Sequence, residues 1–265
     1  MNNSKILYTI KKYRGSTCIL IVTFLLFSIF FMFSAPHSVY GVELFSKDEA
    51  PFGVSYDDWV SKYWNWWVSQ STDEATPKPN GCIINKSESL VTLMETTVGG
   101  SPYQVCEISS TQGIMIPLWI GWCDTGDPLN RGYSDEQLTK CARERYNLGN
   151  IISEVKVDGL PVAKLDVRMS LVSGSLDYKI NSLTNVTELY LKKGFDLTIP
   201  SDTNKPYLVP GTWRAGSHGW FVFLKPLPPG EHTIFYNVRV TPTGALTSPG
   251  TTTVITDVTY LLKVN

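Results

Sequence analysis

SEVKVDGLPVAKLDVRMS, running from Ser153 to Ser170, alternates apolar and polar side chains on both sides of an Asp158-Gly159 pair. Alternation at period two sends successive side chains to opposite faces of a strand, and Asp-Gly suits the two positive-φ positions of a type I′ turn. The stretch therefore predicts a β-hairpin. Working outward, strand-like runs follow at FDLTI (195–199), GWFVFLKPL (219–227), HTIFYNVRV (232–240) and TTVITDVTYLLKV (252–264). PLPPGE, residues 226–231, supplies the turn between two of them. Toward the N-terminus, ESLVTLME (88–95), YQVCEIS (103–109) and GIMIPLWIGW (113–122) read the same way. Roughly eight to ten short strands with two helical excursions predict a mainly β fold, a single antiparallel β-sandwich, with jelly-roll connections as a variant that strand order decides. No internal repeat and no linker divides the body, so residues 42–265 are expected to form one domain.

The first helical excursion is SYDDWVSKYWNWWVSQ, residues 55–70. At about 100° per residue, Tyr56, Trp59, Val60, Tyr63, Trp64, Trp66 and Trp67 fall within an arc of roughly 160°. Ser55 is placed to cap this helix, with Asp58 three residues on where a capping-box acid belongs. The aromatic face admits three readings. It covers the protein's own core, because rings of this size bury about 150–250 Å² each. Alternatively Trp59, Trp64 and Trp67 form a sugar-stacking platform, or the helix lies in a membrane interface. The polar face opposes the last reading: it carries one Lys and two Asp, whereas interfacial helices are rich in Lys and Arg. The second excursion is SDEQLTKCARERYNLGN (134–150), where Ser134 and Gln137 form a capping box, Asp135 and Glu136 occupy the first turn, and Gly149 ends the helix. Leu138, Cys141, Ala142 and Tyr146 share its inward face.

Lys5, Lys11, Lys12 and Arg14 precede the apolar run CILIVTFLLFSIFFMF (18–33), after which the chain turns polar. Positive charge before such a run keeps the N-terminus in the cytoplasm and places the rest of the chain outside it. Residues 1–41 thus read as a signal peptide or a retained signal-anchor helix, and the body as extracytoplasmic, secreted or anchored. Beyond Cys18 there are four cysteines, Cys82, Cys106, Cys123 and Cys141, an even number in an exported chain. Among the three connectivities, Cys82–Cys106 and Cys123–Cys141 are favoured because sequence neighbours staple adjacent elements most readily. A cysteine zinc site is opposed by the lack of any CxxC pair or His at ligand spacing. Asn85 and Asn185 head N-x-S/T sequons and are candidate glycosylation sites.

The chain has 265 residues, 43% hydrophobic and 18% charged, and a net charge of -1. That composition is globular, and without a basic patch beyond the leader it gives nucleic acid no electrostatic footprint. Asp124 and Asp127 in CDTGDPLNRGY give a weak calcium option with no established loop spacing; otherwise no metal or cofactor is expected. His218, in RAGSHGW, and His232, after Glu231, read first as turn or strand-edge residues and are kept as candidate binding residues. No GxSxG, HExxH, Walker or dinucleotide motif occurs, so no catalytic residue is assigned.

YDDWVSKYWNWWVS, a spaced pair of cysteines, GIMIPL, VKVDGLPV and GWFVFLKPLPPGEHTIFY, in that order, resemble a family of exported bacterial and archaeal proteins. In that family a Trp-rich helix comes after the signal peptide, and a vDG.pv hairpin and a LpPGxHti turn recur. The resemblance spans roughly residues 53–236, although STDEATPKPNGC here is shorter than the family's segment after the helix, and SSTQG replaces its Pro-Ala-Gly. It implies architecture and location and supplies no catalytic residues. Two functions remain: a non-catalytic surface module binding an envelope polysaccharide or a protein partner, touching the membrane only through the N-terminal segment, or a hydrolase acting on envelope glycans through two acids in one groove.

Overall fold

A computed structural model describes residues 41–69, 89–92, 103–146, 149–172, 175–191, 193–203, 205, 207–242 and 254–265. The expected leader helix, Cys82 and Asn85 lie outside the described residues. Among those described, no helix is long and apolar enough to cross a membrane. The elements are α1 (Tyr56–Ser69), β1 (Leu90–Thr92), β2 (Tyr103–Ile108), β3 (Gly113–Asp124), α2 (Asp135–Tyr146), β4 (Gly149–Val157), β5 (Leu160–Val172), β6 (Ser175–Thr184), β7 (Thr187–Tyr190), β8 (Phe195–Ile199), β9 (Gly211–Leu224), β10 (Gly230–Pro242) and β11 (Val254–Val264). Gly149 opens β4 and stands apart from the helix it was expected to end.

Two sheets make the sandwich. One has five strands in the order β1-β3-β9-β7, with β8 also paired to β9; the other has six, β2-β11-β10-β4-β5-β6. Pairing is antiparallel except at two edges, where β1 runs parallel to β3 and β2 parallel to β11. No hairpin joins these edge pairs, so no tight turn dictates their direction. The strand order departs from a full jelly roll, since the consecutive strands β4, β5 and β6, and likewise β10 and β11, are neighbours within one sheet. At the turn from β4 to β5, Asp158 and Gly159 have φ of 52° and 79°, the positive pair a type I′ turn needs, and Val157 pairs with Leu160.

The core between the sheets contains Ile114, Ile116 and Leu118 of β3, Trp220 and Val222 of β9, Val155 and Val157 of β4, Tyr236 of β10 and Tyr260 of β11. The opposite face of the five-stranded sheet carries a second cluster, in which Met115, Trp122, Phe221, Phe223 and Leu197 meet the aromatic side of α1. β3 therefore has both faces covered, and nothing along it is exposed. A bulge between Pro117 and Trp119 changes the phase of β3: Trp119 turns inward, and Ile120 and Trp122 turn toward α1.

Helix α1 begins where Ser55 Oγ accepts from Asp58 N–H at 3.2 Å and donates to the Asp58 carboxylate at 2.7 Å. Helix α2 has the reciprocal box expected of it, with Ser134 N–H donating to Gln137 Oε1 (2.8 Å) and Gln137 N–H to Ser134 Oγ (3.3 Å). It packs against β9 where Gly216 shares a face with Trp220. A Cβ on Gly216 would sit 2.4 Å from Thr139 N, so only glycine admits the helix this close. Leu138 and Ala142 bury against Cys123, and Cys123–Cys141 closes the disulfide expected from sequence. Arg214 grips Asp135 through two hydrogen bonds of 2.8 and 2.7 Å and reaches Asp196 at 3.1 Å. The guanidinium holds the Asp135 carboxyl below its usual range. Cys106 is also disulfide-bonded, its partner lying outside the described residues.

A candidate binding pocket beside the aromatic helix

Trp59 and Trp64 are each 3% exposed, so neither offers a ring to solvent; the tryptophan face of α1 covers the sheet. Their indole N–H groups are satisfied inside the protein. Trp59 donates to Pro51 O at 3.0 Å, and Trp64 to Ser217 Oγ at 2.8 Å, whose hydroxyl in turn donates to Gly121 O. Trp67, half-buried at the end of the helix, meets Trp64 edge-on at 5.7 Å, and both contact Trp122, at 5.3 and 4.4 Å. The aromatic surface thus continues from α1 into the C-terminal end of β3.

Beyond that edge lies a pocket of about 280 Å³. Trp122 and Asp124 reach it from β3, Asp127 and Asn130 from the following loop, Ile199 from the end of β8, and Tyr207 from the β8–β9 connection. Asp124 is 9% exposed; its Oδ2 accepts Trp122 Nε1–H at 2.9 Å, and its Oδ1 accepts Gly126 N–H at 2.9 Å and Asp127 N–H at 3.3 Å. Asp127 Oδ1 caps the single turn Pro128–Asn130 by accepting Leu129 N–H at 3.0 Å. Both carboxylates shape the loop that forms the pocket wall, and among the described residues no three acids, cysteines or histidines gather as metal ligands. Tyr207 is 69% exposed and forms an open rim.

Two residues before Tyr207, Lys205 is buried, with its Nζ 4.2 Å from the centre of the Trp67 ring. Burial pushes its amine down to about 8. The ring acts the other way, since an indole face attracts the ammonium.

The two histidines lie apart from the pocket. His218, 2% exposed on β9, bonds Glu188 Oε1 at 2.9 Å and packs edge-on to Trp220 at 5.0 Å. His232 ties two turns together: Nε2–H donates to Pro228 O at 2.9 Å, and Nδ1 meets Asp158 Oδ2 at 2.8 Å. Asp158 Oδ1 accepts Thr233 N–H besides, locking the Asp-Gly turn to β10. Neither histidine has a nucleophile as a partner in these bonds. Asn185 is exposed in the turn after β6, with its Nδ2 donating to Val162 O at 2.8 Å.

Sequence reasoning flagged Asp124, Asp127 and the tryptophans of α1, but missed Trp122, Asn130 and Tyr207 as members of one site. The available signal was an aromatic residue inside the turn-rich run DTNKPYLVPG (202–211), where a tyrosine has no core to enter. No family model, no curated protein and no solved structure matches the chain.

Proposed function

We propose that this protein is an extracytoplasmic, non-catalytic binding module that holds an envelope polysaccharide in the pocket at the end of β3. The observation that carries this reading is the pocket itself, in which Trp122 and Tyr207 combine with the polar groups of Asp124, Asp127 and Asn130. Aromatic faces beside a few fixed polar groups are what a sugar ring needs, since its C–H face stacks and its hydroxyls demand partners. The Cys123–Cys141 disulfide supports an oxidising location, as does the charged and apolar leader. Kinship with the exported family whose motifs the chain resembles belongs to the same proposal.

The hydrolase reading has the two acids in one aromatic-lined pocket in its favour. A glycosidase needs one carboxyl to give a proton and another to attack or activate water. Asp124 already accepts three hydrogen bonds that hold the loop, so binding suits it better.

The test is a thermal-shift titration of the full chain with envelope polysaccharide fragments and short oligosaccharides. A ligand confined to the folded state raises Tm by mass action, worth about 2.7 kcal/mol at a hundredfold excess over Kd. A saturable rise that Tyr207→Ala removes is expected. Absence of any shift overturns the reading, and shortened oligosaccharide products in the same samples transfer it to the hydrolase.

A further inference from the structure

Open strand edges invite pairing with another chain, and folds blunt them with short strands, bulges or a cover. In the five-stranded sheet the edge strands β1, β7 and β8 have only three, four and five residues. β8 is sealed besides by Asn65 of α1, whose Nδ2 donates to Asp196 O at 3.0 Å and whose Oδ1 accepts Thr198 N–H at 2.9 Å. The six-stranded sheet ends on one side in β2, six residues long, and on the other in β6, which runs for ten. Among the described residues β6 pairs with β5 alone.

The β6 edge is unfinished in two respects. Ile180 and Leu183 stand opposite Val167 and Leu165, which are wholly buried in the core, yet they are themselves 38% and 43% exposed. Lys179 stands opposite Arg168, whose guanidinium is already paired with Asp166 at 3.2 Å. Like charges directly opposite one another are unfavourable, and Lys179, exposed, has no ion pair among the described residues. A strand that completes this edge brings an apolar residue beside Ile180 and an acid beside Lys179.

The sequence of β6 itself meets both demands. Two identical edges that pair antiparallel are related by a two-fold axis perpendicular to the sheet, so positions of the same face meet. With the axis at Tyr178, Asp177 falls opposite Lys179 of the partner copy and Leu176 opposite its Ile180, and each pair occurs twice. Moving the axis by one position sets Lys179 against Lys179 or Asp177 against Asp177, so charge repulsion excludes the neighbouring registers. The stretch from Ser175 to Ile180 is regular in its pairing with β5; the ladder slips only at Asn181. We propose that β6 is a self-association edge, through which two copies of this chain join their six-stranded sheets by antiparallel strands centred on Tyr178. Main-chain hydrogen bonds hold the seam, and the charged pairs set its register.

The experiment is sedimentation velocity of the full chain over a concentration series, for the wild type, for Lys179→Glu, and for a chain carrying both Asp177→Lys and Lys179→Glu. The wild type should form a reversible dimer. Lys179→Glu should weaken it roughly tenfold or more, because two attractive cross-strand pairs become repulsive. The doubly reversed chain should recover the dimer, since opposite charges again face each other across the seam; a variant weakened by poor folding would gain nothing from the second change. A wild type that stays monomeric throughout overturns the proposal. A dimer that Lys179→Glu leaves intact overturns it in favour of another surface, and a doubly reversed chain that remains monomeric overturns the charge pairing and the register built on it.

Discussion

In the five-stranded sheet β3 has no exposed residue and the last ten residues of β9 are all buried, whereas in the six-stranded sheet β4 alternates buried with accessible positions. The difference is what lies on the far side. Helix α1 covers one sheet with Tyr56, Trp59, Tyr63 and Trp64, while the other presents Glu154–Lys156, Asp166–Arg168 and Glu107–Lys263 ion pairs to water. Strands with two covered faces become continuous apolar runs, and strands with one keep their alternation. The candidate pocket also borders the covered side, because a pocket needs a second layer to bound it.

The comparison breaks most visibly if the covered face proves tolerant. Trp64→Ala should cost about 3–5 kcal/mol through the lost ring and the lost bond to Ser217, while Ile152→Ala, on the open face of β4, should stay within about 1 kcal/mol. Urea unfolding of both variants decides the matter, and equal costs would mean that α1 is not a structural layer.

Next in size is the staple beside the pocket. Cys123 and Cys141 are separated by 18 positions, and replacing both by serine should cost about 3 kcal/mol. Because α2 docks on the covered sheet through this bond, the double variant should also loosen the pocket wall. Faster hydrogen exchange in residues 124–130 would register it; unchanged exchange there would confine the bond's effect to the unfolded chain.

The smallest expected effect concerns charge. Lys205 lies buried beneath the aromatic layer with its amine at about 8, against 10.5 when unfolded. Between those values the unfolded chain holds a proton the folded one has released, so stability rises with pH through this window. Trp67 resists the release, leaving about 1–2 kcal/mol of gain by pH 10, and Lys205→Met should flatten the rise. Tyr56 opposes it from pH 10 upward: burial, aided by Glu49 and Asp48, pushes its hydroxyl up to about 12, so its stabilisation is lost as pH climbs toward that value. The surface ion pairs of the six-stranded sheet should add less than about 1 kcal/mol each and fade in salt.

Much of this architecture was legible because local rules and tertiary demands agree. The Asp158-Gly159 hairpin, both capping boxes, the amphipathic arc of α1 and the Cys123–Cys141 pair depend on residues within twenty positions of one another, and short-range sterics and hydrogen bonding specify them. The parallel edges of β1 and β2 were not legible, since no turn residue encodes which way a distant strand will add. The same holds for His232 and Asp158, 74 positions apart and joined only where two turns meet.

By itself the sequence determined the class of fold, the place of the helices and the aromatic arc of α1, because periodicity records which faces of an element can leave water, while the burial of Trp59 and Trp64 under that arc came from the structure. Only the tertiary structure decided that the bulge at Leu118 would turn Trp122 toward α1, and that a loop after β3 and another before β9 would close on a common space. A pocket is made of segments brought together by packing, and no local pattern in the chain encodes which segments those will be.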